Sequence, residues 1–360
     1  MIEVAIFVLF HPQALTVKPA PGRVLLVNGV PLAGDRAVGV RREGRQVDWF
    51  AQRETHTGVA VRFGGEMLVS VPGKIERRYR GELTVTAAGE ELRAVLRADL
   101  EEAVAAITEA ESAPAAGLEA RKAQAVIARS WLLANRRRHG AYDYCDTTHC
   151  QVWKEARPSP AAAATRGVVV TYRGRVFAPA YSGSCGGRTK TAAEVGWSAE
   201  PYPYFAVDCE VCRREEPGWE RRLPELPERV GEEASRLRLG RKFGWDTLPS
   251  NNYTLTGNVA RGRGRGHGVG FCQRGAAGRP EPFAEILRRY LPNTRIEQAA
   301  GLPWAGRATR SPVSLSPQSR PFHGAISAPA VGDTPRGSAS AVRDAKPKSG
   351  GPGSLRAPPG

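Results

Sequence analysis

With 360 residues, 41% of them hydrophobic and 24% charged, the chain has the composition of an ordinary globular protein of one large or two average domains, which excludes a peptide-like module and wholesale disorder. A formal net charge of +16 and an isoelectric point of about 10.1 point to an anionic partner: nucleic acid, membrane headgroups or an acidic polymer. No run approaches the roughly eighteen apolar residues of a membrane span, and six cysteines in a chain of this length are not the framework of a small secreted disulfide protein.

The opening MIEVAIFVLFHPQAL lacks a basic leader region, carries Glu3 and has no small-residue cleavage site, so it reads as a first strand rather than a signal peptide. On that reading the protein either is not exported or has lost a leader at its start. Residues 1–98 look β-rich. Asn28-Gly29 lies between apolar runs, a hairpin signal, and KIERRYRGELTV and ELRAVLRA alternate polar and apolar. A helix is predicted from Asp99, with Glu102 closing a capping box and Leu100, Val104 and Ile107 as its buried stripe. A second helix starts near Leu118, where Ala123, Val126, Ile127, Ser130 and Leu133 recur at helical spacing, and Arg136, Arg137 and Arg138 suit its negative end. GVVVTYRGRVFAPAY reads as a two-stranded unit, and PFAEILRRYL as a short helix stopped by Pro292. Strands come first and helices follow, so the expected class is α+β. The last sixty residues hold ten of the 28 prolines and eight Lys/Arg against two acids, which leaves +10 on the remainder. A body over 1–298 and a disordered basic tail over 299–360 are expected, the tail a solvated extension in preference to a tether.

Four features carry chemistry. Glu119 sits in the first turn of the second helix, four residues before Ala123 and seven before Val126, on the face that otherwise buries. The helix N-terminus favours its charge while desolvation raises its pKa. It is either a general acid or a helix-start carboxylate paired with Lys122. Next, His139, Cys145, His149 and Cys150 place four ligands within twelve residues, which suits a tetrahedral structural Zn²⁺. A Cys145–Cys150 disulfide or free thiols are the alternatives. Third, Cys209-x2-Cys212, with Cys185 and Cys272, forms a second metal site, a disulfide or small buried thiols. Fourth, ARGRGRGHGVGF has the composition of an arginine–glycine nucleic-acid segment. It lacks interleaved aromatics, and the glycines around His267 mark a sharply bent backbone instead.

Together these segments resemble the SpoIID/LytB family, the stage II sporulation protein D and amidase-enhancer group. The family's central motif, an acid, an eight-residue step to a second acid, then ALKAQAVAAR, is similar to ESAPAAGLEARKAQAVIAR here, from Glu111 through Glu119 to Arg129. Its CDTTHCQVY-like segment appears as CDTTHCQVWK, its TRGxVxTYxGxxxxAxY segment as TRGVVVTYRGRVFAPAY, and its serine–glycine turn as YSGSCGGRT. GRGHGVGFCQRGA and EILRRYLPNT complete the ordered match over residues 75–296. The chain departs from the pattern at Ser182, Gly183 and Cys185, in a short spacer after GHG, and in Cys185, Cys209, Cys212 and Cys272, which mark a cysteine-bearing subtype.

The resemblance implies a β-rich N-terminal part and a mixed helix/strand catalytic core forming a cleft. It implies a lytic transglycosylase that cuts between N-acetylmuramic acid and N-acetylglucosamine in peptide-stripped peptidoglycan and leaves 1,6-anhydro ends. Glu119 then occupies the catalytic position, as acid and afterwards base. Glu111, Arg129, Tyr181, Ser184, Gly186, Gly187, His267 and Gln273 contact substrate, and zinc at His139, Cys145, His149 and Cys150 is structural. The partners implied are peptidoglycan glycan strands and a cell-wall amidase, and the location is the cell envelope. The alternative within the family is a non-catalytic enhancer of a wall amidase, or wall-binding module. Nucleic-acid binding through the arginine–glycine segment leaves KAQAV and CDTTHC unexplained and is not expected.

Overall fold

The computed structural model describes residues 1–51 and 54–300; all but the first two residues of the predicted tail lie outside them. The strands of the first part are β1 (Ile2–Ile6), β2 (Ala14–Pro19), β3 (Leu26–Val27), β4 (Val30–Pro31), β5 (Val38–Glu43), β6 (Gln46–Ala51), β7 (Glu54–Gly58), β8 (Ala60–Val71), β9 (Ile75–Ala88) and β10 (Glu91–Ala98). With β11 (Tyr144–Cys145) they form a sheet in the order β11-β1-β10-β9-β8-β2-β5-β6-β7, with β3 on β8 and β4 on β3. All pairings are antiparallel except that of β1 with β11. The period of two that marks a one-sided sheet is plain: Val61, Phe63, Met67, Val69 and Val71 of β8 and Tyr79, Leu83 and Val85 of β9 are buried. Gly81 breaks the inward row because a Cβ there would strike the Arg97 carbonyl oxygen. The Asn28-Gly29 hairpin forms as predicted, with both residues at positive φ.

Helix α1 (Leu100–Glu111) starts at Asp99, whose carboxylate accepts from the amides of Glu101 at 2.8 Å and Glu102 at 3.4 Å. The box does not close, because Glu102 turns outward to Arg80 at 3.2 Å. Val104 and Ile107 are buried as expected, with Ala103 and Ala106, and Leu100 packs at the edge of this core. Helix α2 (Leu118–Ala134) buries most of its circumference, so it is an interior helix rather than a surface one. Ala125, Ala128 and Leu132 join the core under the sheet, while Ala123, Val126 and Ile127 join a second core. Its last turn holds no basic residue. Arg136, Arg137 and Arg138 come after the Asn135 cap rather than within the last turn, and Arg138 lies over the Trp131 ring of that turn, 5.8 Å from its centroid.

The second core is built from smaller pieces: α3 (Pro160–Ala164), β12 (Val168–Tyr172), β13 (Arg175–Val176), β14 (Tyr181–Ser182), α4 (Glu210–Glu215), β15 (Gly218–Arg222), α5 (Glu233–Phe243), β16 (Tyr253–Thr256), β17 (Val259–Arg263), β18 (Phe271–Cys272), α6 (Gln273–Ala277), α7 (Phe283–Tyr290) and β19 (Arg295–Gln298). The β12–β13 hairpin forms as read from GVVVTYRGRVF, and β19 adds to its other side. Strands β14 and β18 make a parallel pair only two residues long, and β15-β17-β16 form a separate small sheet. The class is α+β as expected, but strands continue between the helices to the end of the described chain. No helix of the described residues is long and apolar enough to cross a membrane.

Candidate functional site

The two acids of the resemblance motif stand at opposite poles of neighbouring helices. Glu119 is in the first turn of α2. One oxygen accepts from Lys122 Nζ at 2.6 Å, the other from the backbone amide of Phe283 at 2.8 Å. The carboxylate therefore caps the start of α7 from a distance. The Lys122 hydrogen bond first, then the Phe283 amide, hold its pKa below the ordinary carboxylate value. Of the two readings of Glu119, this is the helix-start carboxylate paired with Lys122 and not the desolvated, easily protonated group. The side chain is 31% exposed, and two donors favour its charged form.

Glu111 is the last residue of α1, where the carbonyl pole disfavours negative charge. Burial pushes its pKa up, against an opposing hydrogen bond from the Val152 amide at 2.9 Å and another from Tyr181. Gln273 Nε2 donates to the Glu111 carbonyl at 2.6 Å and lies 3.3 Å from Gln124 Oε1. Gln124 Nε2, Gln151 Oε1, Ser112 Oγ and Ser182 Oγ are buried without a hydrogen-bond partner, and each belongs to a residue bonded or adjacent in sequence to this group. Glu111, Tyr181 and Gln273 are thus the predicted substrate-contact residues that the structure brings together.

The other predicted contacts are internal. Arg129 is fully buried, donating to both Glu101 oxygens (2.8 and 2.6 Å) and to the Val168 and Ala162 carbonyls (3.0 and 3.3 Å). With its guanidinium committed to these partners, it faces no substrate, contrary to expectation. His267 packs against Trp197 with ring centroids 4.8 Å apart and planes tilted by 50°, and its Nδ1 accepts from the Val269 amide at 3.0 Å. Burial pushes its pKa down to about 4, so the ring is a neutral brace. Ser184, Gly186 and Gly187 are buried. Ser184 Oγ points at Cys212 Sγ at 3.4 Å, and both glycines have positive φ. A concavity of about 370 Å³ lined by Asn252, Tyr253, Thr254, Arg261, Gly262 and Arg263 includes none of the predicted residues.

His139, Cys145, His149 and Cys150 converge, with one ligand atom from each lying within 4.8 Å of all the others. His139 Nε2 is 3.2 Å from Cys150 Sγ, and His149 Nδ1 is 3.7 and 3.6 Å from Cys145 and Cys150 Sγ. Neither cysteine is in a disulfide. Zn–S and Zn–N bonds of about 2.3 and 2.0 Å imply tetrahedral edges of about 3.5–3.8 Å, so the donor set fits Zn²⁺ with no open position. Two acids that sequence reasoning passed over hold this loop on the sheet. Asp146 accepts from the amides of Phe7 (2.8 Å) and Val8 (3.3 Å) and from Arg77 (3.1 Å), and Asp143 from the amides of Glu3 and Arg137, both at 3.0 Å. Their signal was available: each immediately precedes a residue of β11 or follows one, so the strand is clamped at both ends. Cys185, Cys209, Cys212 and Cys272 form a second group, all buried and likewise within 4.8 Å.

A sequence model of the family described as SpoIID, stage II sporulation protein, matches residues 88–172. A SpoIID-family domain is therefore recognised over that part of the chain, which carries both acids and the His/Cys loop but not the four-cysteine group. An uncharacterized protein of Brachyspira hyodysenteriae is 27% identical over 259 residues, covering 59% of this chain and 70% of that protein.

Proposed function

We propose that the chain is a cell-wall module of the amidase-enhancer kind, which binds peptidoglycan glycan strands and assists another wall hydrolase without cutting the glycan itself. The observation that carries this reading is the state of Glu119. The side chain in the expected catalytic position accepts from Lys122 and the Phe283 amide, two donors that favour its charged form and lower its pKa, the opposite of what a general acid needs. The SpoIID match over 88–172 supports a wall-polymer partner and an extracytoplasmic place of action, and the surplus of basic residues suits an anionic polymer. Zinc held by His139, Cys145, His149 and Cys150 has a structural role here, fixing the loop that follows α2.

One observation favours a second reading, lytic transglycosylation with Glu111 as the acid. Its carboxyl is desolvated, its pKa is raised, and it lies beside Tyr181 and Gln273. Protonated Glu111 would give its proton to the glycosidic oxygen as the C1–O bond breaks. The carboxylate left behind would take the proton of the C6 hydroxyl as that oxygen closes on C1. No water enters, so one carboxyl serves both steps.

Peptide-free glycan strands incubated with the purified protein distinguish the two. Retention of the protein on the strands, weakened by salt, with no 1,6-anhydro ends by mass spectrometry and with a faster partner amidase, supports the module. Anhydro ends that vanish in Glu111→Gln and persist in Glu119→Gln establish the second reading. Anhydro ends that vanish only in Glu119→Gln refute both readings.

A further inference from the structure

Cys185, Cys209, Cys212 and Cys272 lie outside the residues matched to SpoIID and take part in neither reading above. They come from three separate places in the chain. Cys185 sits in the turn after β14, Cys209 caps α4, Cys212 lies in its first turn, and Cys272 ends β18 and caps α6. All four are unbridged and no more than 1% exposed.

The sulfur spacing selects among the chemistries open to four thiols. Every pair lies within 4.8 Å, and Cys212 and Cys272 are 3.5 Å apart. A disulfide needs about 2.05 Å. An iron–sulfur cluster interposes several iron and sulfide atoms among its ligands and holds its cysteines further apart. A single tetrahedral ion with metal–sulfur bonds of about 2.3 Å needs sulfur–sulfur edges of about 3.8 Å, with which the 3.5 Å pair and the 4.8 Å bound on the others agree.

The surroundings point the same way. Cys272 Sγ accepts from the backbone amides of Cys185 at 3.4 Å and Gly275 at 3.3 Å. Cys212 Sγ accepts from the Ser184 hydroxyl at 3.4 Å, and the Tyr290 hydroxyl lies 3.2 Å from Cys209 Sγ. Donors turned onto sulfur are the outer shell of a metal thiolate, whose negative charge they offset. The packing leaves no slack, since a Cβ on Gly275 would sit 2.5 Å from Cys209 Sγ and strike the Tyr290 hydroxyl.

We propose that these four cysteines bind one Zn²⁺ as a closed, all-thiolate structural site, separate from the His/Cys loop. Binding releases the thiol protons to solvent. The ion joins Cys185 to Cys272 across β14–β18, whose ladder pairs only Tyr181 with Phe271 and Ser182 with Cys272. It thereby seats Tyr181 and Gln273 beside Glu111. The site does not depend on whether the protein binds glycan or cuts it.

The test is metal analysis of the full-length chain produced with zinc and iron both supplied. Two zinc per chain are expected, falling to one in Cys209→Ser and, independently, to one in Cys145→Ser. Cobalt loaded into Cys145→Ser should show the intense visible d–d bands and near-ultraviolet sulfur charge transfer of a tetrahedral all-thiolate ion. Should Cys209→Ser not fold, zinc-edge X-ray absorption of the native chain decides, with an average of three sulfurs and one nitrogen per zinc expected. One zinc per chain, iron in place of the second zinc, or disulfides among the four cysteines in the native protein would overturn the proposal.

Discussion

The two parts of this molecule are held together by different means. In the first, β8 and β9 run twelve residue pairs in register and β9–β10 seven more, so the backbone ladder sets the geometry and side chains fill one face. In the second, β13, β14 and β18 are two residues long, and core residues arrive from loops and short helices. Four of those core residues are cysteines in mutual reach. Where ladders are this short, loop entropy is not offset by the sheet itself, and a metal that ties distant segments supplies the constraint.

Stripping metal with a strong chelator tests this contrast with the largest effect, because a structural zinc contributes on the order of 10 kcal/mol. Hydrogen exchange should lose protection at the Phe271 and Cys272 amides and keep it across β8 and β9. Equal loss in both parts would break the comparison. Arg129→Ala strikes the joint between them, leaving Glu101, 15% exposed in the pair, without its partner. Urea denaturation should show a loss of about 3–5 kcal/mol. Within the sheet, Leu83→Ala should cost about 2–5 kcal/mol with the zinc content unchanged. Glu119→Ala should cost only about 1 kcal/mol, the value of a helix cap, read as faster exchange in α7.

The smallest effect is in pH dependence, where the two acids should differ in sign. Glu111 has a raised pKa, so the folded chain holds its proton more tightly than the unfolded one. That stabilisation is full below the ordinary carboxyl value of 4.5 and is lost as pH rises through the folded value. Glu111→Gln should therefore raise the urea midpoint relative to the parent near neutral pH, the gap closing in acid. Glu119 has a lowered pKa. Its stabilisation is present above 4.5 and lost as pH falls through the folded value, so Glu119→Gln should lower the midpoint near neutral pH.

Much of the fold was legible where a period was long. The alternation in KIERRYRGELTV and ELRAVLRA and the Ala123–Leu133 stripe became β9, β10 and the buried side of α2. The His/Cys loop was legible because its ligands are close in sequence and reach one another in space. For Glu119 the sequence left two readings open, and the pairing with Lys122 is the one that the structure bears out; the second partner, the Phe283 amide, comes from 164 residues away and no local pattern shows it. Glu111 was undervalued, although its place at the carbonyl end of α1 was itself a reason to expect a raised pKa. The Cys209-x2-Cys212 pair was visible in the sequence, but the choice among metal site, disulfide and buried thiols depends on contacts between β14, α4 and β18 that bring Cys185 and Cys272 to it.

Because α2 lines both cores, the chain resists the division its two parts invite. A fragment ending at Ala98 would leave the apolar side of the sheet open to water, and one beginning at Thr165 would lack the helix against which Val170, Phe271 and Tyr290 assemble. Limited proteolysis should consequently yield nicked but associated chains, not two separable folding units.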